Sequence, residues 1–312
     1  MNASPKVSVI IPTHNRPHTL PRAIHSVLQQ GYADIELIVV DDASNTAAAA
    51  EIVANFALTD PRIRYIRREV SGGAAAARNT GIEAAMGEFI AFQDDDDEWL
   101  PGKLERQMAL MAELGEECQL VGGPLIRYVA DVGIKVFSWP ASANSSWVDT
   151  QRFVEGCSAF LQTTLIRKSA LKKIGGFNPD VPISEDYEMV LRLLDHGRLA
   201  TVQDFVTIVY EQSGANLSGQ KPLRVASNLK ILELHAKRLK TYPLAVGLLN
   251  YEAAVSALRT GQRGLAARFW LGAFTSNPWV LRVYLLLPML ILGPNMASAM
   301  IGLSERLKRA RR

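Results

Sequence analysis

Four short apolar runs, each followed by a stretch of helical spacing, fill the first third of this chain. They are Val7 to Ile11 then Leu20 to Gln29, Ile35 to Val40 then Ala47 to Ala57, Ile63 to Ile66 then Ala74 to Ala85, and Glu88 to Phe92 then Leu100 to Leu114. The apolar runs are continuous rather than alternating, as strands buried on both faces are. The reading is therefore an α/β fold: an open, mostly parallel sheet with helices on both faces. In such sheets ligands bind beyond the carboxyl ends of the strands. The polar clusters fall there: Thr13-His14-Asn15 after the first run, Asp41-Asp42 after the second and Asp94-Asp95-Asp96-Asp97 after the fourth.

The aspartate run constrains chemistry most. Neighbouring like charges repel by about 1 kcal/mol in water and by several times that in a less polar cleft, so four adjacent carboxylates call for a cation. Mg²⁺ or Mn²⁺ suits them, since these ions take oxygen ligands and are usually held by one or two carboxylates together with substrate phosphates. The alternative is plainer: a solvated turn, or an N-cap for the helix beginning near Pro101.

Beyond residue 120 the pattern changes twice. Val121 to Val154 is mixed strand and loop, with Trp139 and Trp147 reading as exposed aromatics. Ser158 to Ile166 is more regular, a helix from Lys168 to Ile174 ends at Gly175-Gly176, and Glu185 to His196 is helical, with Glu185 and Asp186 in a first turn where the helix dipole favours acids. After Pro222 only helices are expected: Leu223 to Leu239, then Leu244 to Arg259 and Leu265 to Thr275 as an αα-hairpin about Gly261, similar to a single tetratricopeptide-like unit. The expected domains are thus residues 1–220 and a helical extension, 221–312. Trp279 to Leu303 is very apolar, yet Pro288, Gly293, Pro294 and Asn295 interrupt it before the roughly 20 clean residues that a membrane span needs. With Arg306, Lys308, Arg309, Arg311 and Arg312 behind it, segment 279–312 reads as a peripheral membrane contact, or alternatively as a buried helical hairpin with a solvated tail.

Composition narrows the class. An apolar fraction of 48% is that of a folded protein, and a net charge of +3, its excess crowded into the last seven positions, is too small to argue for nucleic acid, so no nucleic-acid partner is expected. Cys118 and Cys157 have neither metal-ligand nor redox spacing and read as small core residues of a reducing compartment. The run Val7 to Ile11 is too short for a signal-peptide core, so a cytoplasmic location is expected, peripheral on the cytoplasmic face of the cell membrane.

Five segments, taken together, carry a resemblance. They are Val9-Ile10-Ile11-Pro12-Thr13-His14-Asn15-Arg16, Val40-Asp41-Asp42-Ala43-Ser44, Ala77-Arg78-Asn79-Thr80-Gly81, Gly87 through Asp97, and Gly175-Gly176-Phe177 followed by Glu185-Asp186. In order and spacing they resemble the motifs of family 2 glycosyltransferases with the GT-A fold, over roughly residues 6 to 215. The resemblance implies a nucleotide-diphospho-sugar donor, a glycan or lipid-linked acceptor and an Mn²⁺ or Mg²⁺ cofactor. It implies that Asp42 reads uracil, that Pro12, Thr13 and Asn15 line the same pocket, and that Arg78 approaches the base or phosphates. Asp94 and Asp96 become the functional pair of the aspartate run, Asp96 in direct contact with metal and Asp94 on the ribose or on the metal through water. Asp95 joins the donor site where a small residue is more usual, Asp97 is next in line, and Asp186 becomes the general base, with Glu185 and Trp139 on the acceptor side. One departure is evident: relatives often carry Arg or His after the last strand, and this chain has Tyr210-Glu211-Gln212-Ser213-Gly214. Two other functions compete. A nucleotidyltransferase is disfavoured because Pro12-Thr13-His14-Asn15 stands where its glycine-rich phosphate loop would be. A non-catalytic nucleotide-sugar-binding protein would have no need of Asp94, Asp96 and Asp186.

Overall fold

Seven residues of β1 (Val7–Thr13) and seven of β2 (Ile35–Asp41) pair in parallel from Val7 opposite Ile35 to Thr13 opposite Asp41, every one of them buried. β-branched runs of this kind fit the interior of a sheet covered on both faces. The computed structural model describes residues 6–129, 133–156, 159–211, 221–278 and 281–292. In chain order α1 (Leu20–Leu28) follows β1, α2 (Ala48–Ala57) follows β2, and β3 (Ile63–Arg67), α3 (Gly73–Ala84) and β4 (Phe89–Phe92) complete the expected alternation. On α1 the buried residues Leu20, Ala23, Ile24 and Val27 follow the i, i+3, i+4, i+7 stripe of a helix laid on a sheet, and Pro21 sits near its start, where a missing N–H costs nothing.

The remaining elements of this part are β5 (Glu98–Trp99), α4 (Lys103–Leu114), β6 (Cys118–Gly122), β7 (Leu125–Val129), β8 (Gly133–Phe137), α5 (Thr150–Gly156), β9 (Leu165–Arg167), α6 (Lys168–Lys173), α7 (Glu185–Leu193), β10 (Arg198–Thr201) and β11 (Thr207–Glu211). The main sheet runs β10-β6-β9-β4-β1-β2-β3, and β9 is antiparallel to both its neighbours. A second sheet, β5-β11-β7-β8, takes β7 and β8 from the stretch whose periodicity is uninformative and joins them to β11 and β5 from outside it. Its strands pair Thr207 with Trp99 on one side and with Leu125 on the other, over separations too long for a local pattern to reveal.

Three expectations are corrected here. α4 starts at Lys103 after a left-handed Gly102, so the aspartate run does not cap it. Trp139 is not an exposed, acceptor-facing aromatic: it is 4% exposed, stacks on Phe153 at 5.3 Å and donates its indole N–H to Thr163 Oγ1, over Gly122, where a Cβ would come within 2.6 Å of the ring. Trp147 is half-buried with the Arg198 guanidinium 3.9 Å from its ring. Cys118 is buried, as expected, and Cys157 lies outside the described residues.

The chain divides into two compact units, the first made of Met1–Phe153, Ala159–Pro179 and Glu185–Ser213, the second of Val154–Ser158, Asp180–Ser184 and Gly214–Arg312. The second unit therefore takes in three short stretches that the sequence reading assigns to the N-terminal domain, 154–158, 180–184 and 214–220. Its described helices are α8 (Lys221–Leu234), α9 (Ala236–Leu239), α10 (Pro243–Arg259), α11 (Arg263–Ser276) and α12 (Leu281–Leu292). The single helix expected from Leu223 to Leu239 is broken at His235. α10 and α11 form the expected hairpin around Ala253, Ala254, Ala257, Leu258, Ala266 and Phe269, with Val225 and Leu286 in the same core. No helix among the described residues is long and apolar enough to cross a membrane.

Candidate active site

Thr13 closes β1 with its side chain buried, and its hydroxyl donates to Asp95 Oδ2 at 2.7 Å, so the first strand meets the aspartate run directly. Two residues later Asn15 holds a left-handed backbone, φ 56°. Its N–H donates to Ser44 Oγ at 2.9 Å and its Oδ1 accepts from the Asn45 N–H at 2.8 Å, which fastens the loop after β1 to the loop after β2. Ala43, beside Asp42, is left-handed as well, φ 59°. Such backbone costs a non-glycine residue about 1–3 kcal/mol and persists where surrounding contacts impose it, commonly at ligand sites. Pro12 is buried within β1.

Asp42 is already well partnered. Its oxygens accept from Ser71 Oγ at 2.7 Å, from the Gly72 and Gly73 backbone N–H groups, and from the Arg68 guanidinium. Burial pushes its carboxyl up, but these donors outweigh it and hold the pKa below the ordinary value. Gly73 opens α3, so Asp42 caps that helix from another loop.

The aspartate run is the opposite case. Burial pushes Asp95 up to about 6, raises Asp96 and raises Asp97 well above the ordinary value; the negative charge of Asp94 adds to each. Arg16 Nη1 lies 3.2 Å from Asp95 Oδ1 and 2.6 Å from Asp96 Oδ2, and Arg22, from α1, holds the Asp96 carbonyl. Asp97 faces inward: its Oδ1 accepts the Tyr210 N–H at 3.1 Å and its Oδ2 the Gln162 side chain at 3.2 Å, which ties the run to β11.

Arg78, on α3, joins the run to α7. Its Nη2 donates to Asp94 Oδ1 and its Nη1 to Glu185 Oε1, each at 2.7 Å, across 107 positions of sequence in the second case. The side chain is 7% exposed, so the guanidinium lies between two carboxylates rather than open to a phosphate. Its seat is built by the glycine-glycine-phenylalanine segment. Asn79 clamps Phe177 by two hydrogen bonds, with the Phe177 N–H at 2.8 Å and the Phe177 carbonyl at 2.9 Å. The Phe177 ring meets Phe92 edge-on at 5.3 Å and lies 5.7 Å from the Arg78 guanidinium. A Cβ on Gly176, φ 73°, would strike Asn79 Oδ1 at 2.4 Å.

Beside Glu185 in the first turn of α7, Asp186 accepts the Tyr187 N–H at 2.7 Å. Burial first, and then the charge of Glu185, push its carboxyl up to about 7. One acid of the pair is neutralised by Arg78 and the other is left basic, consistent with successive helix positions pointing about 100° apart. The structure thus brings Thr13, Asp95 and Asp96 together through Arg16, and Asp94 and Glu185 together through Arg78, with Asp186 next to Glu185. Asp42 and Asn15 sit in the neighbouring loop, and Trp139 is in the core.

The sequence profile of glycosyl transferase family 2 matches residues 8–173, more than half of the chain. The chain belongs to glycosyl transferase family 2. As a family 2 member it is a glycosyltransferase. The UDP-Glc:alpha-D-GlcNAc-diphosphoundecaprenol beta-1,3-glucosyltransferase WfgD of Escherichia coli is 30% identical over 216 residues, 69% of this chain and 80% of that protein. S. aureus TarS 1-349 in complex with UDP-GlcNAc superimposes with a TM-score of 0.60 at 18% identity, over 87% of this chain and 89% of that one. The mannosyltransferase PcManGT of Pyrobaculum calidifontis, in complex with GDP-Man and Mn²⁺, gives a TM-score of 0.56 at 20% identity over 92% and 79%. At these identities the two structures speak for the fold.

In this family 2 enzyme several site residues had escaped the sequence reading. Arg16 and Asn79 lie inside recognisable segments, yet nothing local says that they reach Asp96 and Phe177. Arg22 and Gln162 carry no local signal, because each meets the aspartate run across more than 60 positions.

Proposed function

We propose that the protein is a divalent-metal-dependent, inverting glycosyltransferase that moves a sugar from a UDP-sugar to a hydroxyl of a glycan or lipid-linked acceptor in cell-surface polysaccharide synthesis. The observation that carries this reading is the Asp94–Arg78–Glu185 bridge, which holds the donor-side carboxylate and the acid pair of α7 at the two ends of one buried guanidinium. A donor sugar between Asp96 and Asp186 would have a diphosphate on one side and a base on the other.

The donor set fits a hard cation. Among the described residues no group of three or more His, Cys, Asp or Glu is disposed to hold a metal ion, so the protein offers the carboxylates of Asp96 and Asp94 and no cage. That is the manner in which Mg²⁺ and Mn²⁺ are usually held, with substrate phosphates completing the shell. When bound, the ion supplies Lewis-acid neutralisation of the departing diphosphate. The remaining chemistry belongs to side chains. Asp186 takes the proton of the acceptor hydroxyl as its oxygen bonds to the anomeric carbon, and the electron pair of the broken carbon–oxygen bond leaves with the nucleoside diphosphate. A pKa near 7 is well placed for a general base at neutral pH. One displacement of this kind inverts the anomeric centre. Arg78 keeps Glu185 and Asp94 neutralised, which leaves Asp186 as the basic acid of the pair.

UDP is supported by the WfgD relative, whose name specifies UDP-Glc and a diphosphoundecaprenol-linked acceptor. Asp42 is the proposed uracil acceptor, with Pro12, Thr13 and Asn15 around it; the imide N–H would replace Arg68 on the carboxylate. Location at the cytoplasmic membrane face through segment 279–312 belongs to the same proposal, and of that segment the structure describes α12, which contains Pro288. A screen of nucleotide sugars for Mn²⁺-dependent hydrolysis, with the product anomer assigned by NMR, tests the whole reading. A retained configuration would remove the single displacement, and turnover undiminished by EDTA would remove the metal.

A further inference from the structure

The carboxylates proposed for the metal are already partnered by arginines, and the arginines differ in how they are held. Arg78 uses both terminal nitrogens and is 7% exposed. Arg22 is pinned over the Tyr210 ring at 4.0 Å with a terminal nitrogen on the Asp96 carbonyl. Arg16 bonds Asp95 and Asp96 through Nη1 alone, and its side chain is 38% exposed. Its backbone is fixed: the Arg16 carbonyl accepts the Leu20 N–H at the head of α1, and left-handed Asn15 precedes it. The side chain is therefore the part free to move.

We propose that Arg16 is a stand-in cation: it neutralises Asp95 and Asp96 while the donor site is empty, yields Asp96 to a divalent cation, and transfers its guanidinium to the diphosphate that arrives with that cation. This rests on the donor-site reading given above. Two arguments carry it. Asp95 is 5% exposed, so its charged form is costly without a positive partner, and among the described residues the side-chain cation on Asp95 and Asp96 is Arg16. Arg16 occupies Asp96 Oδ2, one of the two oxygens an ion would take, and like charges at that distance repel, so an ion bound there displaces the more exposed cation. The second argument is the end of β11, where Tyr210 and Glu211 supply no positive charge. A diphosphate beside Asp96 would find no cation at the end of β11, whereas the Arg16 guanidinium is a planar fork with unused donors, the group suited to two phosphate oxygens. Metal binding thereby becomes coupled to nucleotide binding, since Arg16 opposes the ion alone and assists the pair.

Full-length protein titrated with Mn²⁺ by electron paramagnetic resonance, with and without UDP or GDP, tests this. Arg16→Gln should bind Mn²⁺ alone about tenfold more tightly than the native chain and bind the nucleotide with Mn²⁺ about tenfold more weakly, the range expected of one charge-assisted hydrogen bond. Arg16→Lys, which keeps the charge and loses the fork, should match native affinity for Mn²⁺ alone and still bind nucleotide more weakly. A purely structural role would weaken both affinities together. Either Arg16→Gln affinity remaining at its native value overturns the proposal. Native protein that binds neither nucleotide with Mn²⁺ overturns the donor-site reading, and this proposal with it.

Discussion

Asp42 and the Asp94 to Asp97 run follow β2 and β4, the two parallel strands that flank β1, and are treated in opposite ways. Asp42 receives a hydroxyl, two backbone N–H groups and a guanidinium, and its pKa lies below the ordinary value. Asp95 and Asp97 are buried and Asp96 half-buried, with fewer donors and with neighbouring negative charge, and Asp186 is half-buried beside Glu185; all four pKa values lie above it. The first arrangement stabilises the fold, because a carboxylate that caps a helix is preferred charged. The second weakens the fold at neutral pH and keeps an attraction for positive charge, or for a proton, in reserve. Acids that resemble each other in sequence therefore serve as anchor in one loop and as the proposed reactive site in the other.

The largest effect expected is on chemistry. Asp186→Asn keeps size and removes basicity, so transfer should fall by about 10²-fold or more while nucleotide-sugar binding changes little. Near-normal transfer would place the base elsewhere. The same substitution sharpens the contrast in stability. With a folded pKa near 7 against an ordinary value near 4, the native state binds the Asp186 proton more tightly than the unfolded chain does. The stability this group contributes is then fully present below about pH 4 and is lost as pH rises to about 7. Denaturant titrations across that window should show a shallower loss for Asp186→Asn than for the native chain.

Next comes Asp96→Ala, which should abolish the Mn²⁺-dependent part of UDP affinity measured by calorimetry. Metal-dependent affinity that survives would move the ion to another carboxylate. Asp42→Ala should act the other way round. Loss of hydrogen bonds to a charged acceptor, worth about 1.5–3 kcal/mol, should lower the thermal midpoint, and nucleotide affinity should fall by a similar amount if the uracil contact is made there. A stability loss with unchanged preference for UDP over GDP would leave Asp42 as an anchor alone. The smallest effect concerns the second unit: truncation after Asn277 should release the enzyme from membranes that salt does not strip from the full chain, with kcat on a soluble acceptor unchanged. Full-length protein found wholly in the soluble fraction would favour the buried-hairpin alternative for segment 279–312.

Local periodicity determined much of this protein. Strands β1 to β4 and helices α1 to α3 fall within a residue or two of the boundaries that apolar runs and turn residues imply, because each is stabilised by the side-chain spacing that reveals it. Order along the chain likewise put Thr13, Asp42 and the aspartate run at the carboxyl ends of the strands, where open α/β sheets bind their ligands. Three-dimensional packing decided the rest. The second sheet joins Glu98–Trp99 to Thr207–Glu211, Trp139 found its ring's place over Gly122, and Arg78 and Arg16 took partners up to 107 positions away. No local pattern encodes such contacts. Which acid is held charged and which is pushed toward its protonated form follows from burial and from the donors that packing delivers, and these exist only once the chain has closed on itself.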